Sequence, residues 1–476
     1  MTLTMPLREL SDLPGPRGLP LLGNALQIDL PHFHQQLERW AAEFGPFYRL
    51  QLVGRQILVA ADHEVVATML RDRPDGFRRT SRLEEIGIEM GLKPGVFGAN
   101  GEAWRRQRRM VMAGFDPSHV RSYFPSLLKV TQRLAGRWRK AASAGQSIDL
   151  QADLMRFTVD AIAGLAFGAD VNTLESDEDV IQRHLDRIFP ALQRRVFAPL
   201  PWWRLVRLPA DRALEKSLAE VNAAVDGFVA QARARLQASP ELRERPANLL
   251  EAMILAADQE GGQIHDNEVA GNVMTMLLAG EDTTANTLAW MIYLLSRNPG
   301  ALARATEEVR RLAPDPGTLT MDQLASLDYL EACAHETMRL KPVAPIIPQQ
   351  AVSDTALGGV QVKAGMVVIG LLRHDGVSER HVPHPTVFEP ERWLGEEGGP
   401  RRLAASARRT SMPFGAGPRM CPGRYLALLE IKMAMAMLLG CFDIAGVDTP
   451  DGLEARERLS FTMTPVGLKL RLRERD

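Results

Sequence analysis

Apolar positions recur at helical spacing along most of the chain, predicting helices over residues 32–43, 102–113, 126–141, 150–167, 210–238, 267–297, 299–312, 321–340 and 423–439. Strand-like alternation is confined to short stretches. Phe47–Leu52 and residues 56–60 flank Gly54 as a hairpin, and residues 359–372 predict a second hairpin turning at Lys363, Ala364 and Gly365. The prolines of residues 13–24 predict an extended lead-in, so residues 1–24 read as an extended N-terminal segment. The pattern is that of a mainly α protein with a small β part. No repeat or Ser/Gly-rich linker divides it, which favours a single domain over residues 1–476. Residues 195–212 read as a long loop carrying Trp202 and Trp203, either a lid over an apolar pocket or an ordinary packed loop.

The longest predicted helix has an unusual centre. At 1.5 Å per residue it spans about 45 Å, and around its middle only Glu281, Asp282, Thr283, Thr284 and Asn286 break an all-round apolar surface. A carboxyl buried there is costly unless it is used or paired. Gly280 weakens the helix, and a threonine hydroxyl at position 283 can take the Ala279 carbonyl, so the pair predicts a local opening wide enough for a small molecule.

Composition narrows the classes. A chain that is 45% hydrophobic with a net charge of -1 is neither disordered nor drawn by global charge to nucleic acid. Cys333, Cys421 and Cys441 are too few for a disulfide framework and fit a reducing compartment. Charges at Arg8, Glu9 and Asp12 argue against a membrane anchor, and the apolar run 433–442 is about half of what spanning requires. The expectation is a cytoplasmic monomer.

Cys421 lies in PFGAGPRMCPGR, directly before an apolar helix. Pro422 suits a first helical position, so the helix is expected to start at the cysteine, where its dipole and Arg419 favour a thiolate. A thiolate is a nucleophile or a metal ligand. No histidine base lies near in sequence, and Gly415, Gly417 and Gly423 let the backbone approach something large and flat, such as a haem.

Phe414, Gly417, Arg419, Cys421 and Gly423 spell F-x-x-G-x-R-x-C-x-G, and the segment resembles the haem-binding loop of the cytochrome P-450 family of haem-thiolate monooxygenases. The resemblance implies that family's fold, with a long central helix crossing haem b and small antiparallel sheets. It makes Cys421 the iron ligand, packs Phe414 beside it and directs Arg419 to a propionate. Trp104 and Arg108 match W-x-x-x-R, a further propionate pair. Ala279, Gly280, Asp282, Thr283 and Thr284 match A-G-x-[DE]-T-T, implying that Thr283 and Asp282 relay protons beside bound dioxygen. Glu336 and Arg339 match E-x-x-R, and Arg392 in FEPERW would complete a buried triad. Gln349 stands where many relatives carry a propionate-binding arginine. Leu278, Ala344, Ile346, Ile347, Thr462 and Met463 fall where the family lines its substrate pocket.

The implied activity inserts one oxygen atom from dioxygen into an apolar small molecule, by hydroxylation or epoxidation, with NAD(P)H supplying electrons indirectly. A peroxide-driven peroxygenase and a non-catalytic haem-binding sensor are the alternatives. With 55 residues after Cys421, no fused reductase is expected, and the donor would be a separate ferredoxin or flavodoxin with its NAD(P)H reductase. Arg105, Arg106, Arg109, Arg401, Arg402, Arg408, Arg409 and Arg424 are then either a docking patch for that acidic donor or ordinary solvated charge.

Overall fold

The longest apolar helix organises the rest of the molecule. In the computed structural model, which describes residues 7–176, 180–198, 200–259, 264–394 and 407–475, it runs from Asp266 to Arg297 over 32 residues. It is apolar because it is covered along most of its length, Ala279 being the exposed residue at its middle. Leu150–Phe167 packs along it, and Pro209–Ala238, Asp328–Leu340 and Arg424–Cys441 close around it. Leu288 and Met291 are fully buried, and each such side chain contributes roughly 1.5–3 kcal/mol.

The helix runs unbroken through Gly280, with Ala279 exposed beside it and the expected Thr283 hydroxyl bond to the Ala279 carbonyl in place. A Cβ at Gly280 would meet Ile162 Cγ1 at 3.2 Å, so the glycine also serves the close approach of Leu150–Phe167. Among the described residues no helix is long and apolar enough to cross a membrane.

A five-stranded sheet stands beside the helices in the order Phe47–Leu52, Arg55–Ala60, Val367–Leu371, Ile346–Ala351, Phe77–Arg78. The first hairpin is as expected, with Phe47 opposite Ala60. The second is not. Val360–Val362 turns back on Thr355–Leu357 through Gly358 and Gly359, both at positive φ, which is the geometry a two-residue hairpin turn demands. Val367–Leu371 is almost entirely buried and enters the sheet centre, parallel to Arg55–Ala60 and antiparallel to Ile346–Ala351. A strand apolar on both faces needs cover on both, which a free hairpin cannot give.

Three further expectations change. Residues 321–340 form two helices, Met321–Ala325 and Asp328–Leu340, broken at Ser326 and Leu327. The N-terminal segment contains a 3-10 turn at Leu10–Asp12 and pairs back through Gly23 and Leu52. Of the two tryptophans in the loop before Pro209, Trp202 is exposed. Trp203 is buried, donating Nε1–H to Glu89 Oε1 at 2.6 Å.

Candidate active site

Cys421 lies three residues before the helix Arg424–Cys441, with Gly423 as the cap, so Pro422 does not occupy the first helical position. Its own N–H donates to the Phe414 carbonyl at 3.0 Å, folding PFGAGPRMC into a closed loop. Gly417 makes that loop possible. It sits at φ +70°, and a Cβ there would lie 2.6 Å from Arg71 Cα and Leu70 O, so the loop lies directly on the helix His63–Arg71.

The thiol is not favoured as a bare anion. Burial pushes its pKa up, while the Gly423 N–H, Arg108 and Arg424 pull it down without winning. A thiolate at this position therefore calls for a cation bound directly to sulfur, and an iron ligand fits that need.

Trp104 and Arg108 lie one turn apart on Gly101–Gly114 and both reach the cysteine loop. Arg108 donates to Met420 O at 2.8 Å, and Arg419 lies over the Trp104 ring, 5.1 Å from its centre. Arg419 also donates to Ala99 O at 2.6 Å and Val96 O at 3.1 Å. Two arginines that the sequence reading missed complete the group. Arg73 donates to Leu70 O and Ala416 O, and Arg79 lies over Phe97, its Nε sealed from solvent with no hydrogen-bond partner.

Desolvation lowers the pKa of all of these cations, and repulsion among them adds to it at two: Arg419 falls to about 9 with Arg79, Arg73 and Arg108 nearby and Arg73 to about 9 beside Arg79, while burial alone takes Arg79 to about 10. Among the described residues none of the four is paired with a carboxylate. Four unpaired guanidinium groups beside one cysteine suit a ligand carrying two carboxylates and a metal, which is the chemistry of haem b. The only sequence signal for Arg73 and Arg79 was the arginine-rich run RDRPDGFRR, which reads equally well as solvated surface.

On the central helix, Asp282 and Thr283 face different partners. The Asp282 carboxylate accepts from Asn286 Nδ2 at 2.6 Å and from the Thr462 hydroxyl, while the Thr283 hydroxyl donates to Ala279 O at 2.7 Å. Burial raises the Asp282 pKa, and the two hydrogen bonds oppose it. The buried Thr284 hydroxyl points elsewhere, to Glu430.

Glu336, Arg339 and Arg392 converge. Glu336 takes Arg339 Nε at 2.8 Å, Arg339 Nη2 at 2.7 Å and Arg392 Nε at 3.2 Å, as well as the Trp393 indole at 2.9 Å. Of the expected pocket residues, Leu278 and Thr462 are buried near the Asp282 side and Ile346 and Ile347 are half-buried, whereas Ala344 is exposed. The segments meet, because Met463 N–H donates to Val343 O at 2.7 Å. The Met463 side chain, however, turns into the core, its sulfur 3.7 Å from Arg373 Nη1. Phe461, at φ +78°, stacks 4.3 Å from Phe189 and lies 5.9 Å from Phe97, forming an aromatic group of which Phe189 was not anticipated. Gln349 is fully buried in its strand, its amide nitrogen on Pro348 O and its oxygen unpartnered.

The fold and the cysteine loop define the haem-thiolate class of protein. The chain belongs to the cytochrome P450 family, whose model matches residues 13–472. It superposes on the cytochrome P450DA heme domain with a TM-score of 0.83 at 26% identity, covering 99% of both chains. It is 28% identical over 472 residues to "Self-sufficient cytochrome P450 monooxygenase CYP505E3" of Aspergillus terreus, covering 98% of this chain and 43% of that protein. It is also 27% identical to "Protein LUTEIN DEFICIENT 5, chloroplastic" of Arabidopsis thaliana, over 84% of this chain and 67% of that protein. This chain thus spans less than half the length of the self-sufficient relatives.

Those relatives overturn the expected donor. A separate ferredoxin or flavodoxin does not fit proteins named self-sufficient that match nearly all of this chain, and the number of residues after Cys421 does not bear on the question. Three of the basic residues assigned to such a donor have local partners: Arg105 pairs with Asp75 and Glu102, Arg409 with Glu64, and Arg408 with Trp393 O. Arg401 and Arg402 lie outside the described residues.

Proposed function

We propose that the chain performs the oxygen-inserting reaction of a monooxygenase on an apolar small molecule. Haem would be held by Cys421 at iron and by Arg419, Arg79, Arg73, Arg108 and Trp104 at its carboxylates. When bound, it supplies dioxygen activation at an iron enriched in electron density by the thiolate. The chain's own residues handle protons and substrate. Asp282 keeps its proton to higher pH than an ordinary carboxyl, and Thr283 is the hydroxyl beside it that can pass that proton on after leaving the Ala279 carbonyl. Leu278 and the Phe97, Phe189 and Phe461 group supply apolar contact surface for the substrate and exclude water.

The observation that carries this reading is the acid and the alcohol side by side at the middle of the long central helix, where Ala279 is exposed. Following the relatives named self-sufficient, we assign the electrons to NAD(P)H through a donor intrinsic to the protein. The test is isotopic. The haem-loaded chain, given a chemical reductant and 18O-labelled dioxygen with a library of apolar compounds, should yield product carrying one labelled atom. Product labelled only from peroxide, or no product from any compound that perturbs the haem spectrum, overturns the reading.

A further inference from the structure

Away from the cysteine loop's cation cluster, two histidines and an aspartate converge where the helix His63–Arg71 begins. Asp375, in the 3-10 turn His374–Val377, points its Oδ2 at that helix start. Three nitrogens surround Oδ2: the His63 backbone N–H, which donates at 2.8 Å, His63 Nδ1 at 2.8 Å and His381 Nε2 at 3.5 Å. An sp² oxygen has lone pairs for two. The third stands off, and His381 Nε2 is beyond good hydrogen-bond length. The imidazole rings of His63 and His381 meet edge to face with centres 4.9 Å apart.

Two ligands about 2.0–2.1 Å from a tetrahedral metal lie about 3.3 Å apart, close to the His381–Asp375 separation of 3.5 Å, while the His63–Asp375 hydrogen bond of 2.8 Å would lengthen as its proton gives way to the ion. The ligand atoms of His63, Asp375 and His381 all lie within 4.8 Å of one another. The other carboxylate oxygen, Oδ1, accepts from His374 Nδ1 at 3.0 Å, which fixes the plane of the carboxylate as outer partners of metal ligands do. His63 and Asp375 have side chains 9% exposed, against 22% for His381, so the set is shielded yet open on the His381 side.

We propose that His63, Asp375 and His381 form a binding site for a divalent transition metal such as Zn²⁺, with an open fourth position. Two imidazoles and one carboxylate are a ligand set such ions favour over Mg²⁺ or Ca²⁺. The site would act as a brace. The helix His63–Arg71 that it fixes is the one on which Gly417 rests, and Arg73, just beyond that helix, holds the Ala416 carbonyl at 2.9 Å. On the other side, the neighbouring Gly376 carbonyl takes the buried Arg339 at 2.5 Å. The metal would therefore join the cysteine loop's support to the Glu336 triad, independently of any reaction at the haem.

The experiment is calorimetric titration of Zn²⁺ into haem-loaded protein freed of metals by a chelator, with thermal unfolding in parallel. One Zn²⁺ per chain should bind and raise the melting temperature. His381→Gln, at the more exposed ligand, should weaken binding at least about tenfold and cancel the thermal shift. His32→Gln, at an exposed histidine elsewhere, should change neither. If His381→Gln does not fold, His63→Gln serves the same comparison. Absence of stoichiometric Zn²⁺ binding to the wild type, or binding unchanged in the ligand variants, overturns the site.

Discussion

Thr462 donates its hydroxyl to the Asp282 carboxylate, joining the strand Thr462–Pro465 to the middle of the central helix. The link continues through Asn286, whose amide nitrogen takes Asp282 and whose oxygen accepts from Thr464 at 2.7 Å. Asp282 is thus tied to Thr462 and Asn286, and its pKa is set by burial working against those two hydrogen bonds. Removing one bond must raise the pKa further. Thr462→Val should therefore keep Asp282 protonated to higher pH and move the corresponding limb of the turnover–pH profile upward. A profile that does not move takes Asp282 out of the proton relay.

Arg79 gives a prediction with opposite signs in two states. Without an anion it is a desolvated cation with an unpartnered Nε beside Arg73 and Arg419. Arg79→Gln removes that charge, so the haem-free protein should gain on the order of 1 kcal/mol in denaturant unfolding. The same change removes a carboxylate partner, so haem should leave faster, measured as transfer to an acceptor apoprotein. Both quantities falling together would mean that Arg79 is a structural cation with no part in binding the cofactor.

Much of this was readable from the chain, for reasons that differ by residue. The helix Leu150–Phe167 was placed correctly because an apolar run of helical length, an Asp149 cap and Gly168 at its end agree locally. Trp104, Arg108, Arg419 and Cys421 carry recognisable spacing, and the fold brings them together. Arg73 and Arg79 carry none, since only the tertiary approach of Gly417 to Leu70 and Arg71 makes them neighbours of the cysteine. The pairing of Val367–Leu371 was misread for a related reason: periodicity shows that a strand is buried, while its partners come from far along the chain. The helix starts at Arg424 and not at Pro422, its first bond running from the Ala427 N–H to the Gly423 carbonyl, while the Cys421 N–H is taken by Phe414 O in the loop.

Glu336 balances two buried guanidinium groups, so its loss is felt at both. Arg339 is 1% exposed and has no route to water. Glu336→Gln should destabilise the protein by about 3–5 kcal/mol, because breaking a buried ion pair strands the surviving charge. Chemical denaturation measures it directly. The distance from Cys421 in sequence makes the haem spectrum a second reading: folded variant protein should still show thiolate ligation, since the triad supports the loop's surroundings without touching the sulfur.

Glu430 sets a pH dependence of the folded state. It is buried beneath the central helix with the Thr284 hydroxyl as partner, and burial, only partly opposed by that bond, pushes its carboxyl from an ordinary 4.5 up to about 8. The folded chain therefore keeps a proton that the unfolded chain releases. Below pH 4.5 both states hold it and the group costs nothing. As pH rises from about 4.5 to about 8 the unfolded state is progressively favoured, and above that the loss is constant. Glu430→Gln keeps the shape and cannot ionise, so the variant should match the wild type in acid and exceed it increasingly towards pH 8. Denaturation midpoints across that range test the sign. A variant less stable than the wild type at pH 8 would mean that Glu430 is ionised in the fold, with a cation or ordered water beside it.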